Sequence, residues 1–455
     1  MATQSINPFN GEIIKTYQEH TAQEVEDKIS ATNEAWQGWK KTPFEERSSL
    51  LRKLAEVLRT RKDDLAILMA REMGKPVKQG AAEVEKCAVC CDYYAENGQK
   101  YMEDKLVETE ASKSYLSFQP IGVVLAIMPW NFPLWQVFRF LAPALMAGNC
   151  GVLKHASNVP GCALSIEDMV NGAGFPAHVF QTLLIGSAAV DAVIENPIIK
   201  AVTLTGSTAA GMKVAAKAGS LIKKVVLELG GSDAYLILKD ADLDLAAETC
   251  VNSRLINSGQ SCIAAKRFIV VEEVKEEFTR LFVEKMQSKV MGDPLDPATD
   301  IGTQARTDLR NGLHEQVEKS IAKGAKCVLG GTIPEGENAF YPATVLTDVK
   351  KGMPAYDEEL FGPVAAIISA RDEQDAIRIA NDSVFGLGSA VFTQDVKRGE
   401  EIAEKELEAG CSFVNAQVQS DPRLPFGGVK QSGVGRELSY FGMHEFVNIK
   451  TIYVK

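Results

Sequence analysis

The stretch "TLTGSTAAG", Thr203 to Gly211, decides the fold class. It reads as an apolar strand, a glycine turn and an alanine-rich helix. That arrangement leaves backbone N–H groups at the helix start, where an anion such as a phosphate can be held. Gly211 is followed by Met212, Lys213 and Val214. The segment is therefore neither a GxGxxG turn nor a phosphate loop ending in Lys-Ser/Thr. Taken alone it reads equally well as a nucleotide cradle or as close packing of a strand on a helix. Open α/β sheets bind ligands at such strand ends.

The same rhythm repeats on both sides. "GVVLAIMPW", "NCGVLKHA", "VFQTLLIG", "KKVVLELGG" and "AYLILKD" read as strands separated by helical stretches. This alternation predicts a mainly parallel α/β sheet with helices on both faces. A second α/β pattern begins near Asp233 and includes "RFIVVEEVKEEFTRLFVEKMQ", "FYPATVLTDV" and "GPVAAIISA". From Ala22 to about Gly98 the pattern is helical, with Thr21 as a cap. Its first apolar stripe is Val25, Ile29, Thr32 and Trp36, in which Thr32 is the odd polar member. Tyr101 to Pro120 reads as a polar hairpin, and "HEFVNIKTIYVK" alternates like a strand that joins another sheet.

A chain of 455 residues is too long for one simple core and predicts two or three packed units. The net charge of -11 argues against a nucleic-acid or anionic-membrane partner, both of which need a cationic face. The apolar run Gly122 to Met128 is too short to span a bilayer. The amino terminus lacks a basic and then apolar signal pattern, so a cytoplasmic protein with reduced thiols is expected. Of nine cysteines, Cys87, Cys90 and Cys91 have a hint of metal spacing. No second CxxC or nearby histidines accompany them, so they read as thiols along one helix and no metal is expected.

Four further segments carry candidate chemistry. "LKHAS" places Lys154 and Ser157 at a strand end, without the acid that would bind a ribose 2′-OH; cations there accommodate a 2′-phosphate instead. The alternative is a solvated loop. "VVLELGG" ends an apolar strand at Glu228, where burial would raise a carboxyl pKa and suit a general base; a strand-end acid in solvent is the equal alternative. "PWNFP" fixes the amide of Asn131 in a stiff turn that suits an oxyanion hole. "NSGQSCIAA", Asn257 to Ala265, sets Cys262 among small polar residues in a loop, where Asn257 and Gly259 can end the preceding helix.

Together "INPFNGE", "PWNFP", "LKHAS", "TGSTAAG", "LELGG", "NSGQSC", "EELFGPV" and "PFGGVKQSGVGRE" resemble, in order and spacing, the aldehyde dehydrogenase superfamily over almost the whole chain. The resemblance implies an α/β fold with a Rossmann-type cofactor domain, an α/β catalytic domain and a small β oligomerisation element. Residues 1–100 and 121–229, with part of 417–437, would form the first. Residues 230–416 would form the second, and 101–120 with 438–455 the third. Cys262 would be the nucleophile, Glu228 the base for the hydrolytic water, and Asn131 with the Cys262 N–H the oxyanion site. Trp130, Lys154, Ser157, Gly206, Ser207, Glu359 and Phe361 match cofactor-binding positions.

Relatives that use NAD commonly have Glu where this chain has Ser157, so NADP is the expected cofactor and NAD a poorer one. Arg139 lies eight residues past Asn131, two helical turns on, and resembles the position where relatives acting on succinic semialdehyde hold its distal carboxylate. The other reading of Arg139 is a structural arginine paired with an acid. Ser261 and Ser420 are candidate hydroxyl contacts, and Trp135 a channel wall. Ile256 stands where some longer relatives carry a second arginine, and Ala264 leaves Cys262 without a cysteine two residues on.

The expected reaction is NADP-dependent oxidation of succinic semialdehyde to succinate by a homodimer or homotetramer. Glutaric semialdehyde or uncharged aliphatic aldehydes are the nearest alternative substrates. A non-catalytic structural protein on the same fold is the remaining alternative.

Overall fold

A computed structural model describes residues 2–336 and 338–455. The strands Val123–Met128, Cys150–His155, Phe180–Thr182, Ile199–Thr205 and Lys224–Glu228 form one parallel sheet, with Val123–Met128 in the middle. A short return, Gly433–Val434, closes one edge antiparallel to Lys224–Glu228. Because the order reverses on either side of Val123–Met128, a crevice opens at the carboxyl ends of these strands. The residues that follow those ends are Pro129 to Asn131, Ser157, Gly206 and Glu228 itself.

The second sheet runs in the order Lys326–Leu329, Thr344–Thr347, Val364–Ala370, Arg267–Val271, Ala234–Ile237, Gly388–Phe392 and Cys411–Val414. It is parallel except at the Lys326–Leu329 edge. It offers the crevice its opposite end: Gly230–Gly231, Glu359–Phe361 and the Cys262 loop all precede its strands. Cys262 is thus held where the carboxyl ends of one sheet meet the amino ends of the other.

Several local expectations are met. Thr21 caps the helix Ala22–Trp39 in a reciprocal capping box with Glu24. The Cys87, Cys90 and Cys91 thiols lie buried along one helix, Val77–Tyr101. The hairpin is present as Lys105–Leu106 and Lys113–Pro120, and the terminal strand Val447–Val454 pairs antiparallel with the latter. Thr32 is fully buried, with its hydroxyl accepting from Gln181 Nε2 at 2.8 Å and donating to the Lys28 carbonyl at 2.9 Å. Its place in an apolar stripe is explained by those satisfied bonds. An amino-terminal hairpin, Ala2–Ile6 with Ile13–Gln18, was not foreseen from the sequence.

The helix Trp135–Ala147 is buried on every side. Its start is fixed by a distant carboxylate: Glu83 Oε1 accepts from the N–H groups of Leu134 and Trp135, both at 2.9 Å. Glu83 is in turn ion-paired with the buried Lys75, whose ammonium lies 3.9 Å from the Phe132 ring centroid. This cluster sets where the turn bearing Asn131 leaves its strand. Among the described residues no helix is long and apolar enough to cross a membrane.

Candidate active site

The Cys262 loop is pinned by amides. The helix Leu243–Leu255 ends in a tight turn, Ile256–Gly259, where Asn257 and Ser258 have φ of 52° and 55° and Gly259 has φ of 77°. Left-handed backbone at two consecutive non-glycine residues is costly and persists only where the surroundings enforce it. Here they do. Asn257 Nδ2 donates to the carbonyls of Asn131 at 2.7 Å and Gln260 at 3.0 Å, and Arg254 donates to the Gly259 carbonyl at 2.6 Å. The Gln260 side chain donates to the Thr303 carbonyl and accepts from the Ala305 N–H.

Lys266, fully buried, donates to the carbonyls of Ser261 at 2.8 Å and Cys262 at 2.6 Å, and pairs with Glu359 at 3.3 Å. A Cβ at Gly231 would stand 2.7 Å from the Cys262 carbonyl, so the second glycine after Glu228 is required by close approach.

Asn131 Nδ2 donates to the Gln260 carbonyl at 3.1 Å, while its Oδ1 has no partner among the described residues. The Cys262 backbone N–H has no protein acceptor among them either. The Cys262 thiol is half-buried, and burial pushes its pKa up to about 12; the positive charges of Arg139 and Lys266 oppose that rise. Glu228 is buried, and neither of its oxygens has a hydrogen-bond partner among the described residues. Desolvation raises its carboxyl well above the usual range, with Arg139 opposing and Glu437 adding. Burial thus shifts both the carboxyl and the thiol toward their neutral forms.

The crevice also has the features of an anion cradle. Ser207 caps the helix Thr208–Ser220, accepting from the Ala210 N–H, directly after Gly206. Lys154 has no acidic partner among the described residues, and burial alone lowers its pKa. Trp130 and Phe361 meet edge to face at 5.7 Å, and Glu359 Oε1 accepts from the Gly231 N–H at 3.0 Å. A desolvated lysine without an acidic partner and a helix start, at the ends of two strands of one sheet, are donors of the kind a dinucleotide phosphate takes.

Arg139 has an acidic partner within the fold. It is ion-paired with the buried Glu437, donates to Thr205 Oγ1 at 3.2 Å, and has its guanidinium carbon 4.7 Å from the Phe426 ring centroid. Arg139 thus has an acid partner inside the fold, as a buried arginine requires. Ser261 is buried, and its carbonyl serves Lys266. Trp135 and Ser420 do meet: the indole Nε1 donates to Ser420 Oγ at 3.0 Å. Lys266 and Glu437 were not singled out from sequence. Glu437 lies inside a quoted segment, but its partner is some three hundred residues away.

The profile of the aldehyde dehydrogenase family matches residues 1–452. A probable succinate-semialdehyde dehydrogenase [NADP(+)] of Synechocystis sp. is 48% identical, with all of both chains covered. Succinate-semialdehyde dehydrogenase [NADP(+)] 1 of Mycobacterium bovis is 46% identical, again over all of both chains. Among solved structures, succinic semialdehyde dehydrogenase from Streptococcus pyogenes in complex with NADP+ superposes with a TM-score of 0.97 at 37% identity, covering 99% of each chain. The match over nearly the whole chain, with full-length relatives at 46–48% identity, shows that the chain belongs to the aldehyde dehydrogenase family.

Proposed function

We propose that the chain oxidises succinic semialdehyde to succinate with NADP. The observation that carries this reading is the closeness of Cys262, Glu228 and the Asn131 amide, with Lys154 on a strand of the same sheet as Glu228 and without an acidic partner among the described residues. Full-length relatives named for that substrate and cofactor support the choice. In the proposal the unit built on the first sheet binds the cofactor and the unit built on the second carries Cys262. The strand Val447–Val454 joins copies into a homodimer or homotetramer in the cytoplasm; its exposed Ile449, Tyr453 and Val454 are suited to that contact.

The Cys262 sulfur, once ionised, adds to the aldehyde carbon. The new oxyanion accepts from Asn131 Nδ2 and the Cys262 N–H, donors that cost no reorganisation because the loop already fixes them. Lys154, Ser157, Gly206 and Ser207 would hold the cofactor's ribose and phosphates, and Trp130, Glu359 and Phe361 the nicotinamide end. Bound there, NADP supplies the hydride acceptor that turns the thiohemiacetal carbon into a thioester. Glu228, once ionised, takes a proton from the water that attacks the thioester carbon. The C–S bond breaks, succinate leaves and the sulfur departs as thiolate.

Ser157 tests the cofactor assignment. A carboxylate placed there would accept from a ribose 2′-OH and repel a 2′-phosphate. Ser157→Glu is expected to lower kcat/KM with NADP by roughly 10- to 100-fold, the scale of a charge-assisted contact replaced by repulsion, while NAD is used as well or better. Wild-type kcat/KM values equal for NAD and NADP would contradict the assignment.

A further inference from the structure

Lys266 stands at the amino end of the strand Arg267–Val271, and its backbone is fixed there on both sides. Its N–H donates to the Asp233 carbonyl at 3.1 Å, and its carbonyl accepts from the Ala366 N–H at 3.0 Å. The side chain runs from that sheet to the Cys262 loop and is fully buried. An ammonium has three N–H donors, and three acceptors face this one. They are the Ser261 carbonyl at 2.8 Å, the Cys262 carbonyl at 2.6 Å and Glu359 Oε1 at 3.3 Å. A buried charge is tolerated where it is paired and hydrogen-bonded, as this one is. Burial lowers its pKa, and the carboxylates of Glu359 and Asp233 oppose that fall.

The two carbonyls belong to the peptide units on either side of Cys262. Beside a backbone N–H, that of Ala264 at 3.2 Å from the Ser261 carbonyl, Lys266 is the only donor to them among the described residues. The Ser261 carbonyl shares its peptide plane with the Cys262 N–H, and in a trans peptide the two point in opposite directions. A carbonyl held on Lys266 therefore turns the Cys262 N–H away from the lysine, and that N–H has no protein acceptor among the described residues. The bond also acts through the electrons of the peptide. A cation at the carbonyl oxygen draws density from the amide and makes its N–H a stronger donor, because hydrogen bonds in a chain polarise one another. Burial enlarges the effect by keeping water from screening the charge.

We propose that Lys266 is a positioning residue of the oxyanion site: through the Ser261–Cys262 peptide it aims and polarises the N–H that meets the oxyanion. The inference rests on the reading of Cys262 as the nucleophile and names the charge behind its backbone donor. In that reading an oxyanion forms twice on the same carbon, when the sulfur adds to the aldehyde and when water adds to the thioester. Loss of the lysine therefore falls on turnover rather than on capture of the aldehyde.

Two measurements on the full-length enzyme test the assignment. The first is turnover of succinic semialdehyde at saturating NADP. Lys266→Met is expected to lower kcat about 10- to 100-fold, less than the loss when an oxyanion donor is itself removed, with KM for the aldehyde within about threefold of wild type. Lys266→Gln keeps an N–H donor without the charge and falls between Lys266→Met and wild type; it carries the test where Lys266→Met is not recovered folded. Lys266→Arg keeps the charge and restores most of the loss. The second measurement is the carbonyl stretch of the thioester that accumulates in Glu228→Gln, read by infrared difference with aldehyde isotope-labelled at its carbonyl carbon. Adding Lys266→Met or Lys266→Gln to Glu228→Gln is expected to move that band to higher wavenumber, because a carbonyl facing weaker donors is less polarised. A band that does not move, or kcat values of Lys266→Met and Lys266→Gln within about threefold of wild type, overturns the role of Lys266 while the reaction assignment stands. Absence of any thioester band in Glu228→Gln overturns the thioester reading and this inference with it.

Discussion

Cys262→Ala is expected to lower kcat/KM for succinic semialdehyde by at least about 10⁴-fold, the scale seen when a covalent nucleophile is removed. No other thiol is placed to replace it. Cys87, Cys90, Cys91, Cys150, Cys162 and Cys250 are buried, and Cys327 is exposed at a sheet edge on the strand Lys326–Leu329. Cys411 is the informative control. It is half-buried, and burial, with the Glu228 charge adding, raises its pKa to about 11. It lies on the edge strand Cys411–Val414, however, outside the turn that the amides of Asn131, Asn257 and Gln260 hold. Cys411→Ala is expected to keep activity within about threefold of wild type, in the range of an ordinary substitution away from the reacting atoms. Residual turnover above one per cent in Cys262→Ala, or comparable losses in the two variants, would contradict the assignment of the nucleophile.

Glu228→Gln is expected to separate the two half-reactions. The amide nearly matches the carboxyl in shape and leaves the strand end intact, but it cannot take a proton from water. A burst of one NADPH per active site should appear, followed by steady-state turnover lowered about 10²- to 10⁴-fold, the range for loss of a general base. The pH dependence has a definite sign. Desolvation raises the Glu228 pKa above the usual carboxyl range, so the fraction in its basic form grows as pH rises through that raised value. Wild-type thioester hydrolysis, measured after the burst in single-turnover assays, should therefore accelerate with pH, while the Gln variant shows no such dependence on residue 228. Full multiple turnover by Glu228→Gln would remove Glu228 from the hydrolytic step.

Much of the framework is legible because its signals are local. A strand, a glycine turn and a helix occupy adjacent residues in "TLTGSTAAG", and period-2 or period-3.6 patterning marks the elements around it. The same holds for Cys262 and Glu228. Small residues flank the thiol, and an apolar strand carries the carboxyl into the interior. The partners of charge are different. The distance from Asn131 to Arg139, two helical turns, gave the right region but not the counter-ion. Glu437 comes from a return strand segment that only the closed sheet brings to Arg139.

Removing one member of such a buried pair costs about 3–5 kcal/mol, so the pair is part of the fold before it can serve a ligand. Lys266 escaped notice for the same reason. Lys266 binds the Ser261 and Cys262 carbonyls, and backbone atoms leave no trace in residue identity. The amino-terminal hairpin was missed because its strands, Ala2–Ile6 and Ile13–Gln18, are mostly exposed or half-buried and lack a sustained apolar alternation.

The central claim is that this crevice oxidises a carboxylate-bearing aldehyde with NADP. The most direct measurement is kcat/KM of the purified full-length enzyme for succinic semialdehyde and for butanal, each with NADP and with NAD, with succinate quantified against NADPH. The account predicts one succinate per NADPH, the highest kcat/KM for succinic semialdehyde with NADP, and a clear fall when either the carboxylate or the 2′-phosphate is absent. Equal kcat/KM across the four combinations, or NADPH formed without succinate, would contradict it.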